Sequence, residues 1–174
     1  MRFLFDPKIK HSGRRYLWQV SLATVSLFAV VFVEELITGQ IGGQAVIVAA
    51  IASTAFLLFI WPHSRPSHPR NVLGGHALAL GVGVLFALFG DTETWRETAG
   101  GGAAFYFALF AAASVGLSMF LMAATSTEHP PAAGTALGVA GSPITLDLLL
   151  FVLLGVPVLV AVYLVFRRRL VNLY

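Results

Sequence analysis

Long uncharged apolar stretches alternate along this chain with short polar, basic or acidic segments. The clearest stretch is 41–61, IGGQAVIVAAIASTAFLLFIW, which carries no ionisable side chain. At the helical rise it reaches about 32 Å, enough to cross a hydrocarbon core of roughly 30 Å. Comparable stretches run near Leu17–Leu36, Val72–Gly90, Ala103–Ala124 and Thr145–Phe166. None shows the short alternating pattern of a barrel strand. Between the last two the pattern breaks, in TSTEHPPAAGTALGVAGSP at 125–143. The pattern predicts an all-α, polytopic transmembrane helix bundle: five long spans plus a short broken helix at the break. Residues 17–166 form one membrane domain, flanked by a basic interfacial arm at 1–16 and a basic tail at 167–174.

Composition strengthens this picture. Of 174 residues, 57% are hydrophobic and 11% charged, against roughly 25% charged in a soluble domain. Such a chain lacks the polar surface to face water all round. It has no cysteine, which excludes disulfides, thiolate nucleophiles and cysteine metal sites. The net charge of +3 sits mostly at the two ends, and a basic end beside an apolar span points to anionic lipid, not nucleic acid. Met1–Tyr16 is mixed in character and does not read as a secretory signal.

Basic segments stay cytoplasmic. The arm, the 63–71 link with Arg65 and Arg70, and Arg167–Arg169 are basic, whereas DTETWRETAGGG at 91–102 is net acidic. Five crossings would put the two basic termini on opposite sides. Six crossings, with 131–143 as a short broken helix, remove the conflict; a re-entrant loop there is the alternative. His68-Pro69 and His129-Pro130 each precede a small-residue helix, a faint echo of the internal repeats found in transporters. Gly74, Gly75, Gly81 and Gly83 give the third span a face for close helix contact.

The break carries the candidate chemistry. His129 and Pro130, each before a proline, are expected to be extended, and Pro131 suits the first position of a new helix. Ala132, Ala133, Gly134, Thr135, Ala136 and Gly138 then give a helix with little side-chain bulk. A helix that starts inside a membrane protein presents free N–H groups and a positive dipole end, a ready anion site. A histidine can titrate near neutrality, which makes His129 a candidate proton carrier, with Glu128 as partner. Arg70, Asn71 and His76 offer charge, an amide and an imidazole beside it. Bland readings compete: a structural kink at His129 and Pro131, positive-inside topology for Arg70, a helix cap for Asn71 or Asp147, and a simple span end for Glu34 and Glu35. The histidines lack metal-ligand spacing, and no set of nucleophile, base and orienting acid appears. No metal, cofactor or enzymatic activity is expected.

EHPPAAGTALG at 128–138, with PHSRPSHPRNVLGGH at 62–76, resembles the HPP family of small integral membrane proteins, named for its His-Pro-Pro motif. The resemblance extends from about residue 39 to 166. Its characterised plant-chloroplast and cyanobacterial members are linked to nitrite transport, so the resemblance implies a membrane fold and small-anion transport. Some relatives carry a regulatory domain after the membrane part; none is expected by Tyr174.

The resulting expectation is a transporter or channel for a small inorganic anion, nitrite first, in a bacterial or archaeal cytoplasmic membrane. The anion sits at the Pro131–Gly134 helix start, with His129, Pro130, Ala132, Thr135, Arg70, Asn71 and His76 around it. Glycine- and alanine-rich faces suit a homo-oligomer. The other classes are a membrane scaffold without transport, and a cation or metal permease using Glu34, Glu128 and Asp147.

Overall fold

The computed structural model describes residues 8–38, 45–90 and 103–173, and these hold six α-helices and no strand. They are α1 (Lys8–Thr38), α2 (Ala45–Ile60), α3 (Pro69–Gly90), α4 (Ala103–Ala124), α5 (Pro130–Ala140) and α6 (Leu146–Phe166). A short 3-10 turn, Arg65–Ser67, lies in the link between α2 and α3. Among the described residues, three stretches are long and apolar enough to cross a membrane: Gly13–Val33, Pro69–Gly90 and Leu146–Phe166. The described apolar stretches of α2 and α4, Ala45–Ile60 and Ala108–Ala124, are shorter. The acidic 91–102 segment, the first seven residues and the Glu34 side chain lie outside the described part.

Two boundaries differ from expectation. Residues 8–16, read as part of a separate arm, continue into α1 without a break, because no proline or cap intervenes before the apolar run. The short helix starts at Pro130 and not Pro131: His129 is its N-cap, with extended φ −136° and ψ 94°. Both prolines then occupy the first turn, where a missing N–H costs no helical bond. At α6 the cap is Thr145, whose hydroxyl accepts from the Leu148 amide at 3.2 Å, while Asp147 adds negative charge to the first turn.

Gly75 of α3 lies against His129 and Gly83 against Val139, so α5 runs parallel to α3. Thr54 meets His129 and Ile47 meets Gly138, so α5 runs antiparallel to α2. Tyr16 donates to the Leu173 carbonyl, and Tyr163 to that of Pro62 at 2.9 Å. The start of α1, the end of α2 and the end of α6 therefore share one end of the bundle. The arginines of the link and of the C-terminus gather there, as the positive-inside pattern requires. α5 runs in the direction a sixth traverse needs. Its 11 residues span only about 16 Å, roughly half a hydrocarbon core.

Apolar side chains face outward as well as inward. Phe28, Phe56, Leu88, Phe120 and Val165 are all more than half exposed, a surface suited to lipid. Inside, Ile51, Leu58, Phe59, Val72, Val139, Leu148 and Leu159 form the main core. α5 packs on α2, α3 and α4, and small residues permit the approach. A Cβ added to Gly83 would stand 2.7 Å from Val139 Cβ, and one on Gly138 2.5 Å from Ile47 Cγ1. Gly81, also counted in the small-residue face, has open space around it.

The end of α2 shows how tertiary structure completes a helix. Pro62 has no N–H, so the helix stops near Trp61 and leaves orphan carbonyls. Phe59 O accepts from Gln19 Nε2 at 2.7 Å, Ile60 O from the Leu173 amide at 3.1 Å, and Trp61 O from the Ser64 amide at 3.1 Å. α4 ends on Ser126, a non-glycine residue at φ 53°. The Thr127 amide bonds Met122 O at 2.9 Å and the Ser126 amide bonds Ala123 O at 3.3 Å, the Schellman pairing. This turn delivers the chain directly to His129.

Candidate functional site

Where α2, α3 and α5 meet, four polar side chains are buried together: Thr54, His76, His129 and Thr135. Thr54 Oγ1 lies 2.9 Å from His76 Nε2 and 3.0 Å from His129 Nε2. His76 Nδ1 lies 2.9 Å from Thr135 Oγ1, and His129 Nδ1 lies 2.8 Å from the Pro66 carbonyl. The two imidazole centroids are 5.1 Å apart. Each helix supplies a residue for a local reason. Thr54 also approaches the Ala50 carbonyl one turn back, at 3.0 Å, which lets a threonine sit in an apolar helix. His76 lies on the inner face of α3, next to Gly75. His129, held extended by the prolines after it, turns its ring inward instead of capping its own helix. His68, the other histidine of the His-Pro echo, does the reverse: its Nδ1 accepts from the Arg70 amide at 3.3 Å and its side chain stays exposed.

The helix start provides fewer free donors than the sequence suggested. Pro130 and Pro131 have no N–H, and the Ala132 amide closes onto His129 O at 2.9 Å. Ala132 is itself fully buried, and a Cβ on Gly134 would stand 3.0 Å from Ala50 Cβ. These positions bring helices together; imidazole and hydroxyl groups carry the polar chemistry.

Arg70 and Asn71 lie to one side. Arg70 is exposed and its guanidinium donates to Thr125 O at 3.1 Å, while Asn71 is buried and donates to Glu128 O at 3.1 Å. Asn71 is not a cap: it lies within α3 and ties that helix to the segment before His129. Glu128 pairs with Arg65 at 3.4 Å; the oxygen facing Arg65 is the buried one and makes no hydrogen bond. Glu128 lies at the basic end and Asp147 at the other, so these two acidic residues do not converge. Among the described residues no three metal-ligating side chains cluster.

This arrangement joins the two sequence segments singled out above, 62–76 and 128–138, in one buried site. The HPP transmembrane-region family matches residues 8–172. The chain belongs to the HPP family. It is also 29% identical over 132 residues to a transmembrane protein of Dictyostelium discoideum, covering 75% of this chain and 41% of that protein. The chain thus spans about two fifths of that relative's length. No solved structure matches.

In this HPP domain the motif histidine is a tertiary residue: His129 reaches α2, α3 and the link at once. Sequence reasoning named His76, His129 and Thr135 but missed Thr54 and the Pro66 carbonyl. A hydroxyl pair, Ser53-Thr54, in the middle of an uncharged span was the available signal for the first. Nothing in the sequence marked the second. Gly75 sets the spacing: a Cβ there would stand 2.8 Å from His129 Cβ and 3.1 Å from Thr127 O. Gly75→Ala is expected to destabilise the HPP bundle by about 1–3 kcal/mol through overpacking, read as a lower melting temperature in detergent.

Proposed function

We propose that this HPP domain moves a small inorganic anion across the membrane, with nitrite the first candidate and a proton carried alongside. The observation behind this reading is the buried Thr54–His76–His129–Thr135 cluster. Polar side chains at membrane depth are costly, and two adjacent histidines exceed what helix packing requires. Protonation of one ring would supply the positive charge an anion needs. Arg65, Arg70 and Arg167–Arg169 lie at the end of the bundle that holds His129 and the Pro66 carbonyl, and basic charge there raises the local anion concentration. The link between characterised HPP proteins and nitrite transport supports the choice of substrate. Gly- and Ala-rich outer faces suit assembly of several copies.

The test is flux into proteoliposomes holding the purified chain, offered nitrite, nitrate, chloride and divalent metal ions in turn. Saturable nitrite uptake is expected. Vesicles no more permeable to any anion than protein-free ones would overturn the proposal, and metal uptake alone would favour a cation permease. Arg70→Ala is expected to raise the half-saturating nitrite concentration severalfold at low salt and leave the maximal rate unchanged, because an exposed charge steers approach and is screened by salt. Wild-type concentration dependence in that variant would remove Arg70 from the pathway.

A further inference from the structure

Only one arrangement of protons pairs every polar atom of the buried cluster when both rings are neutral. A neutral imidazole has one N–H donor and one acceptor nitrogen. The Pro66 carbonyl can only accept, so His129 must donate to it from Nδ1, across 2.8 Å. Its Nε2 is then an acceptor, 3.0 Å from Thr54 Oγ1, and takes the single Thr54 hydroxyl hydrogen. With that hydrogen committed, Thr54 can only accept from His76 Nε2 at 2.9 Å, which leaves His76 Nδ1 to accept from the Thr135 hydroxyl at 2.9 Å. The chain of donors runs one way: Thr135, His76, Thr54, His129, Pro66. The two rings must hold opposite tautomers.

Thr54 has a further acceptor within reach, the Ala50 carbonyl at 3.0 Å. If His129 Nε2 takes up a proton, the Thr54 hydrogen can turn to Ala50 O. Its oxygen then accepts from both Nε2–H groups, using its two lone pairs. No heavy atom needs to move, because all three partners already stand at bonding distance. The count closes in both states: one proton is gained, one ring becomes imidazolium, and no buried donor or acceptor loses its partner. Every such partner matters, since an unpaired buried polar group costs about 1–3 kcal/mol.

We propose that Thr54 is the pivot of a buried proton relay, its hydroxyl switching between His129 and the Ala50 carbonyl as the histidine pair gains and loses one proton. Thr54 is a positioning residue: the proton is carried by the rings. α2, α4 and α5 contribute no charged side chain to the cluster's surroundings. The ionisable groups nearby are His76 itself, Arg65 and His68 of the link, Arg70 at the start of α3, and Glu128 beside His129. The Arg65–Glu128 pair places compensating charges next to the Pro66 end of the relay. The inference deepens the proton-coupled anion reading and rests on it for its biological use, but the proton arrangement stands on geometry alone.

Nitrogen-15 NMR of the full chain in lipid, with labelled histidine, tests the arrangement without any variant and without flux. At neutral pH His129 should carry its hydrogen on Nδ1 and His76 on Nε2. On acidification His129 should become doubly protonated first, with His76 keeping its tautomer. The same tautomer on both rings, or His76 protonating first, would overturn the relay. In proteoliposomes containing a trapped pH dye, Thr54→Val should reduce nitrite-linked proton uptake by at least about tenfold, as for the loss of a proton-transfer step. Thr54→Ser should retain it. Wild-type proton uptake in Thr54→Val would also overturn the relay. If the wild-type chain moved no nitrite but showed opposite tautomers, the anion reading would fail and the relay would stand.

Discussion

Replacing His129 by alanine is expected to lower nitrite flux by about tenfold or more, the effect of removing a group that transfers protons. The substitution removes a ring that bonds Thr54 at 3.0 Å and Pro66 O at 2.8 Å. It therefore also leaves the partly buried Pro66 carbonyl unpaired and a cavity among α2, α3 and α5, at a cost of about 2–4 kcal/mol. Flux and folding must be separated. His129→Asn does so: its amide keeps an N–H donor near the place of Nδ1 but does not titrate. A stable, correctly folded Asn variant without flux would assign His129 to transport. Wild-type rates in both variants would end that assignment and leave the histidine as a structural tie.

The second large effect is expected at Gln19, far from the cluster. Its amide nitrogen donates to Phe59 O at 2.7 Å and Val171 O at 2.9 Å, while its oxygen accepts from the Val171 amide at 3.1 Å. Gln19 is completely buried and connects α1, the end of α2 and the segment after α6. Leucine matches its size but can make none of these bonds. Gln19→Leu is expected to destabilise the bundle by about 3 kcal/mol, since each buried group stripped of its partner costs about 1–3 kcal/mol and water can reach part of Val171. A thermal melt in detergent measures it. Because the end of α2 is tied to the Pro66 link through Ser67, whose single hydroxyl hydrogen lies within reach of Leu57 O at 2.9 Å and Trp61 O at 2.8 Å, proteolysis within 61–68 should also accelerate. An unchanged melting temperature would mean that water replaces all three bonds.

How much of the site was legible follows from the kind of interaction involved. His129 stood out because a histidine before two prolines cannot continue a helix and must hold extended backbone. His76 stood out as an imidazole within an apolar run. Thr54 did not, because a threonine in such a run satisfies itself by bonding the carbonyl one turn back, and its sequence looks complete without a partner. Asn71, close to the start of α3, was open to two readings, a pathway amide or a helix cap; its amide in fact crosses to Glu128 O. The anion site at the α5 start was the larger overstatement. Helix starts expose N–H groups in general, yet two prolines delete the first two, and the sequence that marks this start is the sequence that removes them.

By itself the sequence determined that this HPP-family chain lies in a membrane, because the length of each apolar run and the scarcity of charge are properties of the one-dimensional pattern. It also determined where the helices break, since proline's missing N–H and fixed φ act locally, and which end carries the positive charge. Only the tertiary structure decided which polar residues meet. His76 and Thr54 lie 22 positions apart and His129 a further 53 beyond His76, and no local rule relates residues at such separations. Close approach of α5 to α2 and α3 at Gly75, Gly83, Gly134 and Gly138 brings them within hydrogen-bond distance, because the missing side chains let the backbones draw near enough for one hydroxyl to touch two imidazoles.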